Sequence, residues 1–189
     1  MLRHDDARNL NVDFESLRKM LQNHVRDAMA AINMKEVTEG YRMLDIFCHQ
    51  YVRDALGKLP VNQVPIWHHL LLYAWCSRFA PLNTYYNGPE VAYSDVINAC
   101  PLTWPEAQLG QKCGMYLAEA LSSPPSSVHG YVSLLFPGGS MDAVLPVYED
   151  SVGLAFYNTC VVAAMEAVVA LLLSGEKLTG LEVGAGTGG

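Results

Sequence analysis

Basic residues are scarce in this chain. Twelve lysines and arginines stand against nineteen aspartates and glutamates, a formal net charge of −7, and nowhere do the basic residues form a run. Non-specific nucleic-acid binding relies on Lys and Arg to neutralise phosphates, so no nucleic-acid partner is expected. Paired cysteines are lacking too. Cys48, Cys76, Cys100, Cys113 and Cys160 are odd in number, form no C-x-x-C pair and lie mostly inside apolar runs. They read as buried free thiols of a reducing compartment, and a cytoplasmic location is expected. Metal-ligand spacing is missing. His68 and His69 are adjacent, so on a helix they point roughly 100° apart and are poorly placed to share an ion, and no metal is expected. Residues 1–13 are polar and of mixed charge, without the apolar core of a signal peptide. No internal repeat is visible.

What is present is apolar residues at helical spacing. At 51% hydrophobic, the chain can bury one full core and part of a second. Phe14, Leu17, Leu21, Val25, Ala28 and Ile32 recur in steps of three and four and form one apolar stripe. Tyr41, Leu44, Phe47, Cys48, Tyr51, Val52, Ala55 and Leu59 repeat the pattern in a helix expected to close near Gly57 and Pro60. A third helix is expected to start after Pro65, which suits a first-turn position, and to end about Phe79. Turn residues fill 83–89, and a short helix follows over 93–99. Thr103 and Glu106 have the spacing of a capping box, opening a helix that carries Leu109, Met115, Tyr116, Leu117 and Ala120. The S-S-P-P-S-S run at 122–127 breaks it.

The stretch 152–173 is apolar almost throughout and long enough to span a bilayer. Asn158, Thr159 and Glu166 lie inside it, and no basic cluster flanks its start. It reads as a fully buried helix of a soluble domain, in which Asn158 needs a hydrogen-bond partner, and no membrane partner is expected.

The final nine residues are the most informative. An apolar run at 178–183 leads through Glu182 into Gly184, Ala185, Gly186, Thr187, Gly188 and Gly189, an acid followed by a glycine loop. A parallel strand hands the chain to a nucleotide-binding turn in this way. Glycines lack a Cβ, so the turn can take positive φ and backbone N–H groups can approach a ligand. Glu182, at the carboxyl end of such a strand, would face the crevice where open α/β sheets bind ligands. A βαβ unit needs on the order of 30 residues, so the strand is expected to be the first piece of a larger domain. The other reading is a glycine-rich tail.

Three pieces in fixed order resemble the methyltransferase domains embedded in modular polyketide synthases. They are Leu134-Leu135-Phe136-Pro137-Gly138-Gly139, then Val147-Tyr148-Glu149-Asp150-Ser151 followed by Phe156-Tyr157-Asn158, then the loop from Leu181 to Gly189. The helices around residues 41–59 also look like that family's amino-terminal helical lid. The likeness covers residues 36–189, best after Pro105.

The resemblance implies a mainly α chain in which a helical lid subdomain leads into the first strand and glycine loop of a truncated Rossmann-like α/β methyltransferase core. Its divisions are an amino-terminal helix and extension (1–35), the lid (36–173) and the incomplete start of the core (174–189). The implied cofactor is S-adenosylmethionine, met by Glu182, Gly184, Ala185, Gly186 and Gly188, with Tyr148 and Asn158 from the segment before the core. The implied reaction is methylation of the α-carbon of a β-ketoacyl chain tethered to an acyl carrier protein. A carbon between two carbonyls loses a proton, and the enolate attacks in line with the departing sulfur. Alignment of the partners supplies much of the rate, and an apolar lid excludes water. The remainder of the synthase is the other implied partner. The family's catalytic histidine with its carboxylate partner, and the acid that holds the ribose, are expected beyond Gly189, so the isolated chain is expected to be inactive and to expose apolar surface. Methylation of nitrogen or oxygen and a non-catalytic helical module remain open, with a membrane-anchored protein a distant further reading.

Overall fold

The computed structural model describes residues 14–79, 88–124 and 130–171. These are mainly helical, at 82%, and none of them is in a strand. The expected strand over 178–183 and the glycine loop lie outside the described residues. The described residues fall into two compact units, one within 33–154 and one from 14–32 with 155–171.

The first unit is built on α2 (Met34–Lys58). Asn33 opens it by accepting the Glu36 N–H at 3.3 Å, and Lys58 sits in the last turn beside the negative end of the helix dipole. A helix of this length runs about 37 Å, long enough to carry two separate clusters of apolar contacts. Leu44, Ile46 and Phe47 pack with Val91, with Val96 of α4 (Tyr93–Ala99) and with Ala107 of α5 (Trp104–Met115). Near the other end, Leu59 and Val64 meet Leu121 of α6 (Leu117–Ser122), with Tyr73 of α3 (Trp67–Phe79) alongside. The short helices α7 (Tyr131–Leu135) and α8 (Leu145–Glu149) follow. Between them Gly138 and Gly139, at φ 62° and 82°, form the tight turn that the Pro-Gly-Gly sequence calls for.

Several local expectations need correction. Pro65 precedes α3 by two residues and is not in its first turn, because the Ile66 carbonyl already accepts the Leu70 N–H. The helix expected to run on past Met115 breaks at Tyr116, whose N–H turns back to Cys113 and Gly114. The capping box at Thr103 does not form. Thr103 sits in a buried 3-10 turn and donates its hydroxyl to the Cys100 carbonyl at 2.7 Å, while Glu106 is drawn elsewhere. A carboxylate cap is found at α4, where Asp95 accepts the Ala92 N–H at 2.8 Å.

The second unit contains α1 (Phe14–Ala30) and most of α9 (Val152–Leu171). Helix α1 carries the amphipathic stripe, with Leu17, Leu21, Val25 and Ala28 half-buried and the Glu15–Arg18 pair exposed. Helix α9 forms as expected, but its expected full burial is wrong. Only 17% of its apolar span is buried, and Tyr157, Val161, Val162, Met165 and Val169 are exposed. Beyond Val152 in its first turn, the buried residues of α9 are Ala163 and Ala167, four residues apart on one face. Apolarity on every side shows what surroundings a helix prefers, not that its neighbours cover every side. Among the described residues α9 is the one helix long and apolar enough, by length and composition, to cross a membrane.

The helix contacts of α2 are tight enough to test. A Cβ on Gly40 would overlap that of Cys100 and come within 3.1 Å of Thr103, whereas one on Gly57 meets nothing within 4 Å. Gly40→Ala is expected to lower unfolding stability by about 1–3 kcal/mol, from overpacking. Gly57→Ala is expected to raise it by about 0.4–1 kcal/mol, since it restricts the unfolded chain without strain. Urea titration of both variants checks the opposite signs.

Candidate functional site

Two features of the 33–154 unit gather polar chemistry. The first is centred on Glu106 in α5. Its Oε1 accepts the Tyr41 hydroxyl from α2 at 2.8 Å and the Ser151 hydroxyl, just before α9, at 2.5 Å. Its Oε2 is shut off from solvent and has no hydrogen-bond partner among the described residues. The three residues are far apart in sequence and meet because α2 and α5 pack together while the α8–α9 junction crosses their contact. Burial first, and then the Glu106 carboxylate, push the Tyr41 phenol above its ordinary 10.0; the Ser151 hydroxyl and the Gly153 N–H pull the other way. The cluster can hold a proton firmly on Tyr41 and offers one further acceptor oxygen.

The second feature is a cleft of about 350 Å³ between α2, the segment entering α4, and α5. Phe47, Gln50 and Val91 are buried and form its floor. Gln50 spans the floor, accepting the Val91 N–H at 2.7 Å and donating to the Val91 carbonyl at 2.9 Å. Tyr51 and Tyr93 are half-buried walls, and Asp54 and Glu90 stand exposed at the rim.

The residues nominated from sequence are distributed differently. Tyr148 is on α8, 44% exposed. Tyr157 and Asn158 are on α9, both exposed. Asn158 therefore needs no protein partner, since water can serve it, which corrects the expectation drawn from a buried helix. Glu182, Gly184, Ala185, Gly186 and Gly188 lie outside the described residues. Neither the Glu106 cluster nor the cleft was foreseen. Each draws its residues from segments too far apart for spacing to reveal.

The histidines share an aromatic contact with Tyr131. His69 is 1% exposed, with its ring 4.8 Å from that of His68 and 5.5 Å from that of Tyr131, all edge to face. Its Nδ1 lies 3.1 Å from the Leu121 carbonyl, which assigns the proton to Nδ1. Among the described residues no three His, Cys, Asp or Glu side chains gather closely enough to hold a metal ion. All five cysteines are free thiols. Cys76 and Cys100 are buried as expected, but Cys48, Cys113 and Cys160 are only half-buried. Burial first, then Asp45 and Cys113, push the Cys48 thiol from the ordinary 9.0 to about 11.

Glu106→Ala is expected to lower stability by about 2–3 kcal/mol, because two partly buried hydroxyls lose their acceptor; Glu106→Gln keeps an oxygen and should cost about half as much. A double-mutant cycle of Tyr41→Phe with Glu106→Ala, followed by urea unfolding, should show coupling of about 1 kcal/mol. The Cys48 thiol gives a pH signature. A folded-state pKa raised above the unfolded value contributes fully below pH 9.0, and that contribution is lost as pH rises toward about 11. Over that window the chain should lose stability by roughly 2–3 kcal/mol on this group's account, a loss that Cys48→Ala removes.

No protein-family model, curated protein or solved structure matches this chain.

Proposed function

We propose that this chain is the amino-terminal part of a polyketide synthase-type, S-adenosylmethionine-dependent methyltransferase acting on the α-carbon of a carrier-protein-tethered β-ketoacyl chain in the cytoplasm. The observation that carries the reading is the ordered set of three motifs, at 134–139, at 147–158 and at 181–189. The first of them coincides with the positive-φ turn at Gly138 and Gly139, and the second with α8 and the start of α9. A mainly helical body ahead of the glycine loop suits a lid. The exposed apolar side chains of α3 (Trp67, Leu71, Trp75) and of α9 (Val161, Val162, Met165) suit a chain whose remaining core would cover them. The free thiols suit a reducing compartment.

In this reading, bound S-adenosylmethionine supplies an electrophilic methyl group. Gly184, Gly186 and Gly188 would leave backbone N–H groups open to a ligand, and Glu182 would supply a carboxylate beside them. Tyr148, largely exposed on α8, is a lid-side contact. The helical body excludes water and aligns the acyl chain, while the base comes from the remainder of the domain.

The first measurement is the mass of the native protein in its source cells, detected with an antibody raised against residues 33–154. A band far above 20.8 kDa is expected, and that longer protein should bind S-adenosylmethionine, with Gly186→Val weakening binding at least about tenfold. A band at 20.8 kDa, or cofactor affinity indifferent to Gly186→Val, would replace this reading with a non-catalytic helical module.

A further inference from the structure

We propose that the cleft between α2, the Glu90 segment and α5 binds a small organic cation, an ammonium group carried on a short aliphatic body. The proposal goes beyond the methyltransferase reading and does not depend on it.

The volume comes first. About 350 Å³ lies at the lower end of the range for small-molecule sites, room for a compact organic molecule. The lining then selects charge. Two carboxylates, Asp54 and Glu90, face the cleft and no Lys, Arg or His does. An anion would be repelled from both. Asp54 has a cationic neighbour in Arg53, whose Nε is 3.9 Å from Asp54 Oδ1. Both side chains of that pair are more than half exposed, so solvent screens it and it competes weakly.

The walls select the kind of cation. Tyr51 and Tyr93 are those walls, and Tyr51 stands edge to face with Phe47 of the floor, ring centroids 5.1 Å apart. An aromatic face attracts a cation through its quadrupole and tolerates methyl or methylene groups, which a hydrated metal ion does not present. Of the two amides in the lining, half-buried Gln111 of α5 can meet a polar group on the ligand's body, whereas Gln50 in the floor is committed. The carbonyl oxygen and one N–H of Gln50 are already engaged with Val91, and that engagement also settles the backbone N–H and C=O of Val91. The lining then offers a floor whose polar groups are engaged, aromatic walls, the Gln111 amide and an acidic rim, a set that suits one positive head on a compact body. The same Gln50–Val91 pairing fixes the Glu90 segment against α2, so the rim carboxylate is one residue from a buried contact and the cleft is largely formed before any ligand arrives.

The test uses the full 189-residue chain and choline chloride as the probe, titrated by calorimetry or ligand-observed NMR against matched sodium chloride. Choline is expected to bind saturably, with a Kd of roughly 1 mM. Its uncharged tert-butyl analogue should bind at least about tenfold more weakly. Asp54 and Glu90 are exposed, so the double variant Asp54→Asn/Glu90→Gln should fold as the parent does, with an unchanged circular dichroism spectrum, and lose choline affinity by about tenfold. Tyr93→Leu, which keeps the acids and removes one ring, should weaken choline several-fold. Equal binding of the charged and uncharged probes, parental affinity in the double variant, or no saturable choline binding would each overturn the proposal. None of these readouts involves methyl transfer, so failure here and failure of the methyltransferase reading remain distinguishable.

Discussion

The 33–154 unit turns on one side-chain amide. The chain enters α4 through an extended stretch, and Val91 in that stretch is 3% exposed, so its backbone groups cannot be left to water. Gln50 answers both of them from the middle of α2, as a neighbouring strand would. That contact allows a helix to pack directly on irregular backbone and sets the distance between α2 and α4. The apolar cluster of Leu44, Phe47 and Val96 fills the space so defined. An apolar side chain at position 50 would leave an orphan donor and an orphan acceptor in the core, a cost comparable with deleting a sizeable part of that cluster.

Small residues then decide how closely the helices approach. Gly40 lets α2 meet the Cys100–Thr103 turn, and Gly114 lets α5 lie on the ring of Tyr51. Each glycine costs its helix about 1 kcal/mol against alanine, which is recovered in contact along the helix pair. Glu106 does with charge what these do with space. Its carboxylate gathers hydroxyls from α2 and from the start of α9, so the last part of the unit is tied to the first.

The helices were legible in the sequence because their punctuation is strong. Gly57 and Pro60 mark the end of α2, the S-S-P-P-S-S run marks the end of α6, and the Pro-Gly-Gly turn falls where its glycines require. The cap at α5 was misread because Thr103 and Glu106 have the right spacing but better partners in three dimensions. The break at Tyr116 follows Gly114 by two residues, but a single glycine inside an apolar helical pattern does not by itself end a helix. Burial of α9 was overestimated because a helix apolar on all sides has no polar face to show which side is left open. The cleft and the Glu106 cluster could not be read at all, since Tyr41, Glu106 and Ser151 are 65 and 45 residues apart at their contacts. No periodicity links such distances.

The outward side of α3 has an optical consequence. The chain holds three tryptophans, and two of them, Trp67 and Trp75, stand on that helix at 71% and 55% exposure. Water relaxes the excited indole, so the folded chain should emit at long wavelength, close to where an unfolded chain does. Trp104, half-buried at the start of α5, is the one tryptophan whose emission unfolding should move appreciably. Anything that covers α3, whether another part of a longer protein or a second molecule, would shift the emission to the blue, so the chain carries its own reporter of whether that face is occupied.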